Sequence, residues 1–169
     1  MKEINLKKEK NYESIDFNEH LRSARTYALK LLSYSAKTYN EIADRLNTRG
    51  FSDDIVTQTL SELKKLGYIN DQKVGEDLAL ICLIKKGRGR EAIQYTLYQR
   101  KIEKEIIESI IGSISVEKEA QAAWGYVTKR LKIIDIQSEK NKVYHILKQR
   151  GFSQDAIEQV LKKSHDSDS

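Results

Sequence analysis

The stretch Arg49-Gly50-Phe51-Ser52 decides the predicted fold, because it recurs as Arg150-Gly151-Phe152-Ser153, 101 positions later. Halfway between the two stands Arg100-Lys101-Ile102-Glu103, which keeps the pattern but lacks the glycine. Apolar residues stand at matching distances around the three copies: Ile42, Ile93 and Val143; Leu46, Leu97 and Leu147; Val56, Ile107 and Ile157; Leu60, Ile111 and Leu161. An internal period of about 50 residues predicts three tandem repeats.

The repeated phrase predicts a helix end that is followed at once by a new helix. Gly50 comes directly after a segment with helical apolar periodicity, and glycine readily takes the positive φ that commonly ends a helix. Phe51 would then contact Leu46, as in a Schellman-type end. Ser52 and Ser153 are placed to cap the next helices. A helix corner without any binding role explains the phrase equally well, so the phrase by itself predicts structure rather than function.

The predicted fold is all-α, with three tandem three-helix repeats of helix-turn-helix type that form an elongated curved body. A mobile N-terminal arm (1–17) precedes the repeats (18–67, 68–113 and 114–163), and a disordered tail (164–169) follows them. Each helix is short and amphipathic, so it would be stable only by packing on its neighbours.

In the first repeat, helices are predicted from near Asn18 to Tyr34, from Thr38 to Gly50 and from Asp53 to Leu66. The segment Thr38-Tyr39-Asn40-Glu41 has the pattern of a capping box. The first helix of the second repeat is predicted to run to about Lys86, with these residues facing the core: Val74, Leu78, Ile81 and Cys82. The corresponding residues of the third repeat are Ala120, Ala123, Trp124, Val127 and Leu131.

The composition disfavours several classes of protein. The 169 residues include no proline and only eight glycines, and 33% of them are charged, which favours a soluble helical protein. No run approaches the roughly 18 apolar residues of a membrane span, and the first residues lack the apolar core of a signal peptide. The single cysteine, Cys82, cannot form an intramolecular disulfide and is predicted to fill the core. We therefore expect a cytoplasmic protein.

Positive charge is concentrated in residues 85–104. This segment contains seven basic and two acidic residues, so its net charge of +5 equals that of the whole chain. The seven are the candidate partner-binding residues: Lys85, Lys86, Arg88, Arg90, Arg100, Lys101 and Lys104. Such a segment can bind a phosphate backbone or an acidic protein surface. A solvated helix face is the alternative interpretation.

No set of residues in the sequence predicts catalysis. The three histidines are far apart, and neither HExxH nor CxxC spacing occurs, so we predict no enzyme activity, no metal site and no cofactor. The glycine-containing turn Lys86–Arg90 lacks the P-loop pattern, although a helix N-terminus there could hold a DNA phosphate or a carboxylate. Tyr95 and Tyr98, beside the basic segment, could stack on bases.

Three segments carry a resemblance to a known family: Leu66-Gly67-Tyr68-Ile69-Asn70-Asp71; Lys86-Gly87-Arg88-Gly89-Arg90-Glu91-Ala92-Ile93 with Leu97 and Arg100-Lys101-Ile102 after it; and Leu147-Lys148-Gln149-Arg150-Gly151-Phe152. On these segments the chain resembles the RecX family of bacterial recombination regulators, over roughly residues 20–163. It departs from the family pattern at Val74-Gly75, where Phe-Ala is usual, and at Lys101, where glycine is usual.

The resemblance implies a regulator without an active site. Proteins of this family bind the RecA recombinase filament along its helical groove, suppress ATP hydrolysis and strand exchange, and promote filament loss. The implied partner is the RecA filament, and the basic face would be a further contact for single- or double-stranded DNA. The implied fold is tandem three-helix repeats, and we expect a monomer that does not bind membranes.

Two other functions stay open. Thr38–Asp71 also looks like a helix-turn-helix core, which would make the chain a DNA-binding transcription regulator. Asp53 and Asp54 argue against it, because they begin the candidate recognition helix and would meet DNA with negative charge. The third interpretation is a repeat scaffold for some other acidic protein.

Overall fold

The structure is all-α in the residues that it describes. This computed structural model describes the backbone of residues 2–130, 136 and 138–163 and the side chains of residues 16–129, 136 and 138–163. The α-helices are α1 (Lys2–Tyr34), α2 (Tyr39–Thr48), α3 (Asp53–Lys65), α4 (Asp71–Leu80), α5 (Arg90–Gln99), α6 (Lys104–Ser113), α7 (Val116–Gly125), α8 (Lys140–Gln149) and α9 (Gln154–Lys163). Two π-helical segments, Ile81–Lys85 and Tyr126–Arg130, continue α4 and α7. No strand occurs in these ranges, so the predicted all-α class is confirmed.

The chain divides into two compact units, Met1–Val74 and Gly75–Ser169. The core of the first unit is built from α1, α2 and α3 and contains Ala24, Ala28, Ile42, Leu46, Ile55, Val56, Leu60, Leu63 and Ile69. In the second unit, helices of the predicted second and third repeats contribute to a single core that includes Ile93, Leu97, Ile107, Leu147, Phe152 and Ile157. The boundaries proposed for the three repeats stay a prediction.

Helix α1 begins at Lys2, so the predicted start near Asn18 was wrong. An apolar period indicates the packing of a helix, whereas the intrinsic helical preference of the backbone depends on good helix formers and on the absence of glycine and proline. Residues 2–17 meet this second condition, because they are rich in lysine and glutamate. The backbone of the predicted arm is thus helical from Lys2, and its mobility stays a prediction.

All three copies of the repeated phrase form the same Schellman-type helix end, which confirms the prediction. In each copy, the amide that follows the turn donates to a carbonyl of the last helical turn: Phe51 to Leu46 (3.3 Å), Ile102 to Leu97 (3.4 Å) and Phe152 to Leu147 (3.1 Å). The residue before that amide has a positive φ in each case: 91° at Gly50, 55° at Lys101 and 73° at Gly151. Lys101 therefore takes, without being glycine, the conformation for which glycine is preferred.

The predicted side-chain caps are confirmed at two of three helix starts. At α2 the capping box is complete, since Glu41 N donates to Thr38 Oγ1 (3.2 Å) and Thr38 N donates to Glu41 Oε2 (2.9 Å). At α9, Ala156 N donates to Ser153 Oγ at 3.3 Å. Ser52 makes no side-chain cap to α3, so that prediction was wrong; its exposure leaves the first-turn amides close to water.

A π-helical turn after α4 explains another wrong prediction. Lys86 N donates to Ile81 O at 3.1 Å, across five residues instead of four, and this wider turn departs from the 3.6-residue period. Cys82 and Leu83 are buried, whereas Ile81, which was predicted to face the core, is 39% exposed. The predicted burial of Cys82 is confirmed.

The first helix of the third repeat packs as predicted where the structure describes it. Ala120, Ala123 and Val127 are buried, and Trp124 packs against the core while half-buried. Leu131 and the predicted tail (164–169) lie outside the described residues.

The positive φ of Lys101 predicts that Lys101→Gly raises stability. A left-handed conformation costs a non-glycine residue about 1 kcal/mol, so the midpoint of thermal unfolding, followed by circular dichroism, should rise by several degrees. The matched control is Gly50→Lys, which places the same side chain at a corner with φ 91° and open space around it, and which should lower the midpoint. A lower midpoint for Lys101→Gly would show that the left-handed conformation of Lys101 is not strained.

Candidate functional site

Six of the seven basic candidates lie in two clusters at the ends of α5. The first cluster, called the basic turn, consists of exposed Lys85, Lys86 and Arg88. The second, called the basic corner, consists of Arg100, Lys101 and Lys104, of which Arg100 is half-buried. Helix α5 has ten residues, so the two clusters are separated by about 15 Å along its axis. The basic candidates other than Arg90 therefore form two separate clusters.

The backbone of the basic turn is fixed by a glycine seam, defined here as the contact of Gly87–Gly89 with Arg150–Phe152. Gly89 N donates to Arg150 O, and Glu91 N donates to Gly151 O, both at 3.0 Å. A Cβ atom on Gly89 would lie 2.2 Å from Phe152 Cα and 2.3 Å from Gly151 O. Only glycine permits this approach, so the turn is first of all a packing element of the second unit.

Arg150 closes the other side of the glycine seam. Its guanidinium lies 4.1 Å from the centroid of the Tyr126 ring, a stabilising cation–π contact. Its Nη1 also donates to Lys86 O at 3.4 Å. Gly87 has a φ of 58°, and a Cβ there would lie 2.3 Å from Tyr126 Cδ2. The arginine of the repeated phrase thus helps to hold the turn that carries Lys86 and Arg88.

Glu119, in α7, is the one charged side chain that is fully buried among the described residues. Its Oε1 accepts hydrogen bonds from Arg90 N (2.9 Å) and Ser153 N (3.0 Å), and its Oε2 accepts one from Ser153 Oγ (2.6 Å). Arg90 Nε lies 3.0 Å from Oε2, an ion-pair contact whose N–H is not aligned for a hydrogen bond. The carboxylate therefore meets the N-terminal ends of α5 and α9, where helix dipoles are positive.

The first unit contains a related contact. Asp71, the first residue of α4, accepts a hydrogen bond from Tyr39 N at 2.8 Å. Tyr39 begins α2 and Arg90 begins α5, and each lies three residues before an isoleucine of the repeat pattern, Ile42 or Ile93. The two positions therefore correspond. In both units, a carboxylate accepts a hydrogen bond from the first backbone amide of the second helix of one repeat. That carboxylate belongs to the first helix of the next repeat.

The predicted anion site at the start of α5 is thus filled from within the chain. The amide of Arg90 is bound to Glu119, and that of Glu91 is bound to Gly151 O. The Arg90 side chain, 26% exposed, also faces Glu119. Of the two ligands that the sequence left open, a phosphate or a carboxylate, the structure places a carboxylate of this chain there.

Sequence reasoning missed Glu119, although a signal was present. Glu119 lies four residues before Ala123 and beside Ala120, so it belongs to the inward face of the predicted helix. An acidic residue on an apolar face indicates a buried carboxylate with specific partners. The distant partners, Arg90 and Ser153, carry no such signal in the sequence.

Two exposed tyrosines lie between the clusters. Tyr95 and Tyr98 are 66% and 69% exposed and line a groove of about 490 Å³ with Ile102, Lys104 and others. Lys104 Nζ lies 3.5 Å from Glu108 Oε1, and Glu108 lines the same groove. The tyrosine rings are therefore accessible for stacking on bases, and the adjacent positive charge of Lys104 is partly balanced by Glu108.

The described residues contain neither a membrane-spanning helix nor a metal-binding cluster. Within them, no helix is long and apolar enough to cross a membrane. In the same part of the chain, no three His, Cys, Asp or Glu side chains are grouped so that they could hold a metal ion.

Comparison with known protein families gives one domain match. Residues 24–63 match the model of the first three-helix domain of RecX. A Regulatory protein RecX from Caldanaerobacter subterraneus subsp. tengcongensis is 32% identical over 144 residues, which cover 83% of this chain and 70% of that protein. A Regulatory protein RecX from Clostridium botulinum (strain Eklund 17B) is 28% identical over 145 residues, covering 83% of this chain and 68% of the relative.

Two solved structures share the fold. The crystal structure of RecX from Lactobacillus salivarius aligns with a TM-score of 0.77 at 20% identity, covering 88% of this chain and 98% of the other. A crystal structure of a regulatory protein RecX aligns with a TM-score of 0.76 at 22% identity, covering 90% of this chain and 78% of the other. At these identities the likeness supports the all-α repeat fold.

The glycine seam predicts that Gly89→Ala is strongly destabilising. The new methyl group would collide with the backbone of Phe152 and Gly151, which cannot move as a side chain could, so the free energy of unfolding should fall by about 2 to 3 kcal/mol. The matched control is Gly112→Ala in α6, where nothing lies within 4 Å and a gain of about 0.5 to 1 kcal/mol is expected. Urea denaturation measures both. If Gly89→Ala were as stable as the wild type, the close backbone contact at the glycine seam would be contradicted.

The burial of Glu119 predicts that Glu119→Ala costs about 3 kcal/mol of unfolding free energy, because it leaves a partly buried arginine and two helix-end amides without their acceptor. Glu105→Ala, which removes an exposed carboxylate from α6, should cost about 0.5 kcal/mol or less. The comparison uses urea denaturation at neutral pH. If the two variants lost the same stability, Glu119 would not hold the second unit together.

Proposed function

Because this chain belongs to the RecX family, we propose that it binds the RecA recombinase filament and inhibits its ATPase and strand-exchange activities. It would thereby regulate recombinational DNA repair without catalysing a reaction itself. Family membership supplies the partner, and the two basic clusters supply the surface. The proposed contacts are acidic RecA surface or the phosphates of the DNA inside the filament.

The observation that carries this proposal is the rigid exposure of the basic turn. Lys86 and Arg88 are exposed, while the backbone between and beside them is held by Arg88 N donating to Cys82 O and by Gly89 N donating to Arg150 O. A binding surface whose backbone is already ordered loses less conformational entropy on association. The glycine seam therefore supports binding by presenting these two side chains in a fixed arrangement.

The basic corner extends the proposed contact. Arg100, Lys101 and Lys104 follow α5, about 15 Å from the basic turn along the helix axis. Two clusters at that separation can contact two places on a filament at once, which is stronger than either contact alone. A protein held in this way across neighbouring RecA subunits would hinder subunit addition or the rearrangement between subunits that hydrolysis requires.

The test changes Lys86 and Arg88 together to glutamate. The double variant should need at least about tenfold more protein for half-inhibition of DNA-dependent RecA ATPase, since a rim charge reversal weakens association. Its thermal unfolding should match the wild type, because both side chains are exposed. Lys65→Glu with Lys73→Glu is the matched control, as it changes the net charge equally at exposed positions of the first unit.

Arg90 is kept out of this variant for a physical reason. Arg90→Glu would set a second carboxylate against buried Glu119, so lost inhibition could reflect unfolding instead of lost contact. Unchanged inhibition by the Lys86 and Arg88 variant would contradict the placement of the site. Wild-type protein that fails to inhibit at any ratio would contradict the function, and a sequence-specific footprint on duplex DNA without RecA would favour the transcription regulator.

A further inference from the structure

A second groove lies on the second unit. It shares no lining residue with the groove of Tyr95 and Tyr98, which we call the tyrosine groove. It has a volume of about 860 Å³ and runs between α4, with its π-helical continuation, and α7, with its own. We call it the lysine-rimmed groove, after its lining: Leu80, Leu83 and Ile84 together with Lys85, Lys118 and Lys129. Only Lys85 belongs to the candidate residues that the sequence singled out.

The apolar side of the lysine-rimmed groove is exposed to an unusual degree. Leu80 is 57% exposed and Ile84 is 66% exposed, and they lie one turn apart where α4 becomes π-helical. Leu83 faces inward and is buried between them. Adjacent exposed aliphatic side chains in a concave site indicate a docking surface, because scattered single ones are the norm elsewhere.

The charge of the lysine-rimmed groove has one sign. Lys85, Lys118 and Lys129 line it, and no Asp or Glu is among the described residues that do. The tyrosine groove differs, since it includes Glu91 and Glu108. Complementary charge selects partners and steers their approach, so the occupant should combine carboxylates with an apolar stripe.

The aromatic content argues for a protein rather than a nucleic acid. Tyr126 is the one aromatic side chain among the residues that line this groove, and the guanidinium of Arg150 stacks on its ring. Single-stranded nucleic acids bind through exposed aromatic faces, whereas aliphatic side chains such as Leu80 and Ile84 are buried best by other aliphatic side chains.

The wall of the groove fits a helix. Ala122 and Gly125 lie three residues apart on α7 and both line it. A Cβ atom on Gly125 would meet nothing within 4 Å, so the wall is low at that point. Helices that dock in grooves present apolar anchors at intervals of three and four residues and keep their charged face at the rim.

We propose that the lysine-rimmed groove binds an acidic amphipathic helix of a partner protein. The apolar stripe of that helix packs on Leu80 and Ile84, and its carboxylates pair with Lys118 and Lys129. The inference rests on the proposed function only in taking the recombinase as the protein that carries such a helix.

The first test uses a labelled helical peptide with a leucine stripe and glutamate on its other faces, and measures its binding to the full chain by fluorescence anisotropy. Lys118→Glu with Lys129→Glu, and separately Ile84→Ser, should each weaken binding by at least about tenfold. The matched controls are Lys65→Glu with Lys73→Glu, for charge, and Leu66→Ser, for an aliphatic residue that is 61% exposed on the first unit. Thermal unfolding checks that every variant is folded.

Three results would overturn the proposal: no binding of the peptide, equal affinity of the groove and control variants, or equal binding of a scrambled peptide of the same composition. The proposal would also be wrong if the groove variants lost affinity for a single-stranded oligonucleotide and not for the peptide, because the groove would then be a nucleic-acid site.

A second test separates the groove from the proposed function. A photo-crosslinking residue at Gln121, which lines the groove, should give a product with RecA in RecA–DNA filaments, and the same residue at exposed Ser109 of α6 should not. If the wild type leaves RecA ATPase unchanged, the proposed function fails whatever the peptide does. If the groove variants do not change the affinity for the peptide, the groove is not the binding site, regardless of the result of the ATPase assay.

Discussion

The arrangement of the second unit depends on the buried carboxylate of Glu119. Burial of a charge is costly unless it is paired and hydrogen-bonded, and here the cost is offset by Arg90, by Ser153 and by the positive ends of two helices. Because these partners belong to α5 and to the start of α9, while Glu119 belongs to α7, the carboxylate fixes three helices relative to one another. These hydrogen bonds are directional, whereas the apolar packing around them is not.

The glycines follow from the same constraint. Once Glu119 brings the starts of α5 and α9 together, the turns before these helices must pass at backbone distance. Gly89 and Gly151 lie there. A Cβ atom on Gly89 would collide with the backbone of Phe152 and Gly151, and one on Gly151 would collide with Ala92 in the first turn of α5. The second and third repeats therefore share an interface of the nearest-neighbour kind on which repeat proteins depend, made here from hydrogen bonds and glycine contacts as well as from apolar burial.

Most local features were predicted from the sequence, with the exceptions of the cap at Ser52 and the start of α1, and the distant contacts were missed. Helix ends, the capping box at Thr38 and the left-handed conformation of Lys101 depend on residues within one or two turns, so a repeated pattern identifies them. The predicted start of α1 was wrong because apolar periodicity indicates packing instead of backbone helicity. The predicted burial of Ile81 was wrong because the π-helical turn depends on its surroundings. At the candidate site the charges were identified, but the ion pair between Arg90 and Glu119 joins positions 29 apart, and no short pattern encodes it.

This difference changes how the basic segment should be understood. Its net charge of +5 counts Arg90 as if it faced outward, whereas its charge is used inside the second unit. The charge that we propose for partner binding is carried instead by the basic turn, the basic corner and the lysines of α7 and its continuation, which come from different parts of the chain. Lys101 fits this view, since it is exposed and has a strained φ of 55°, so burial of its side chain contributes little to offset the strain. Lys101 stands between Arg100 and Lys104, so it belongs to the basic corner that we propose as part of the partner-binding surface.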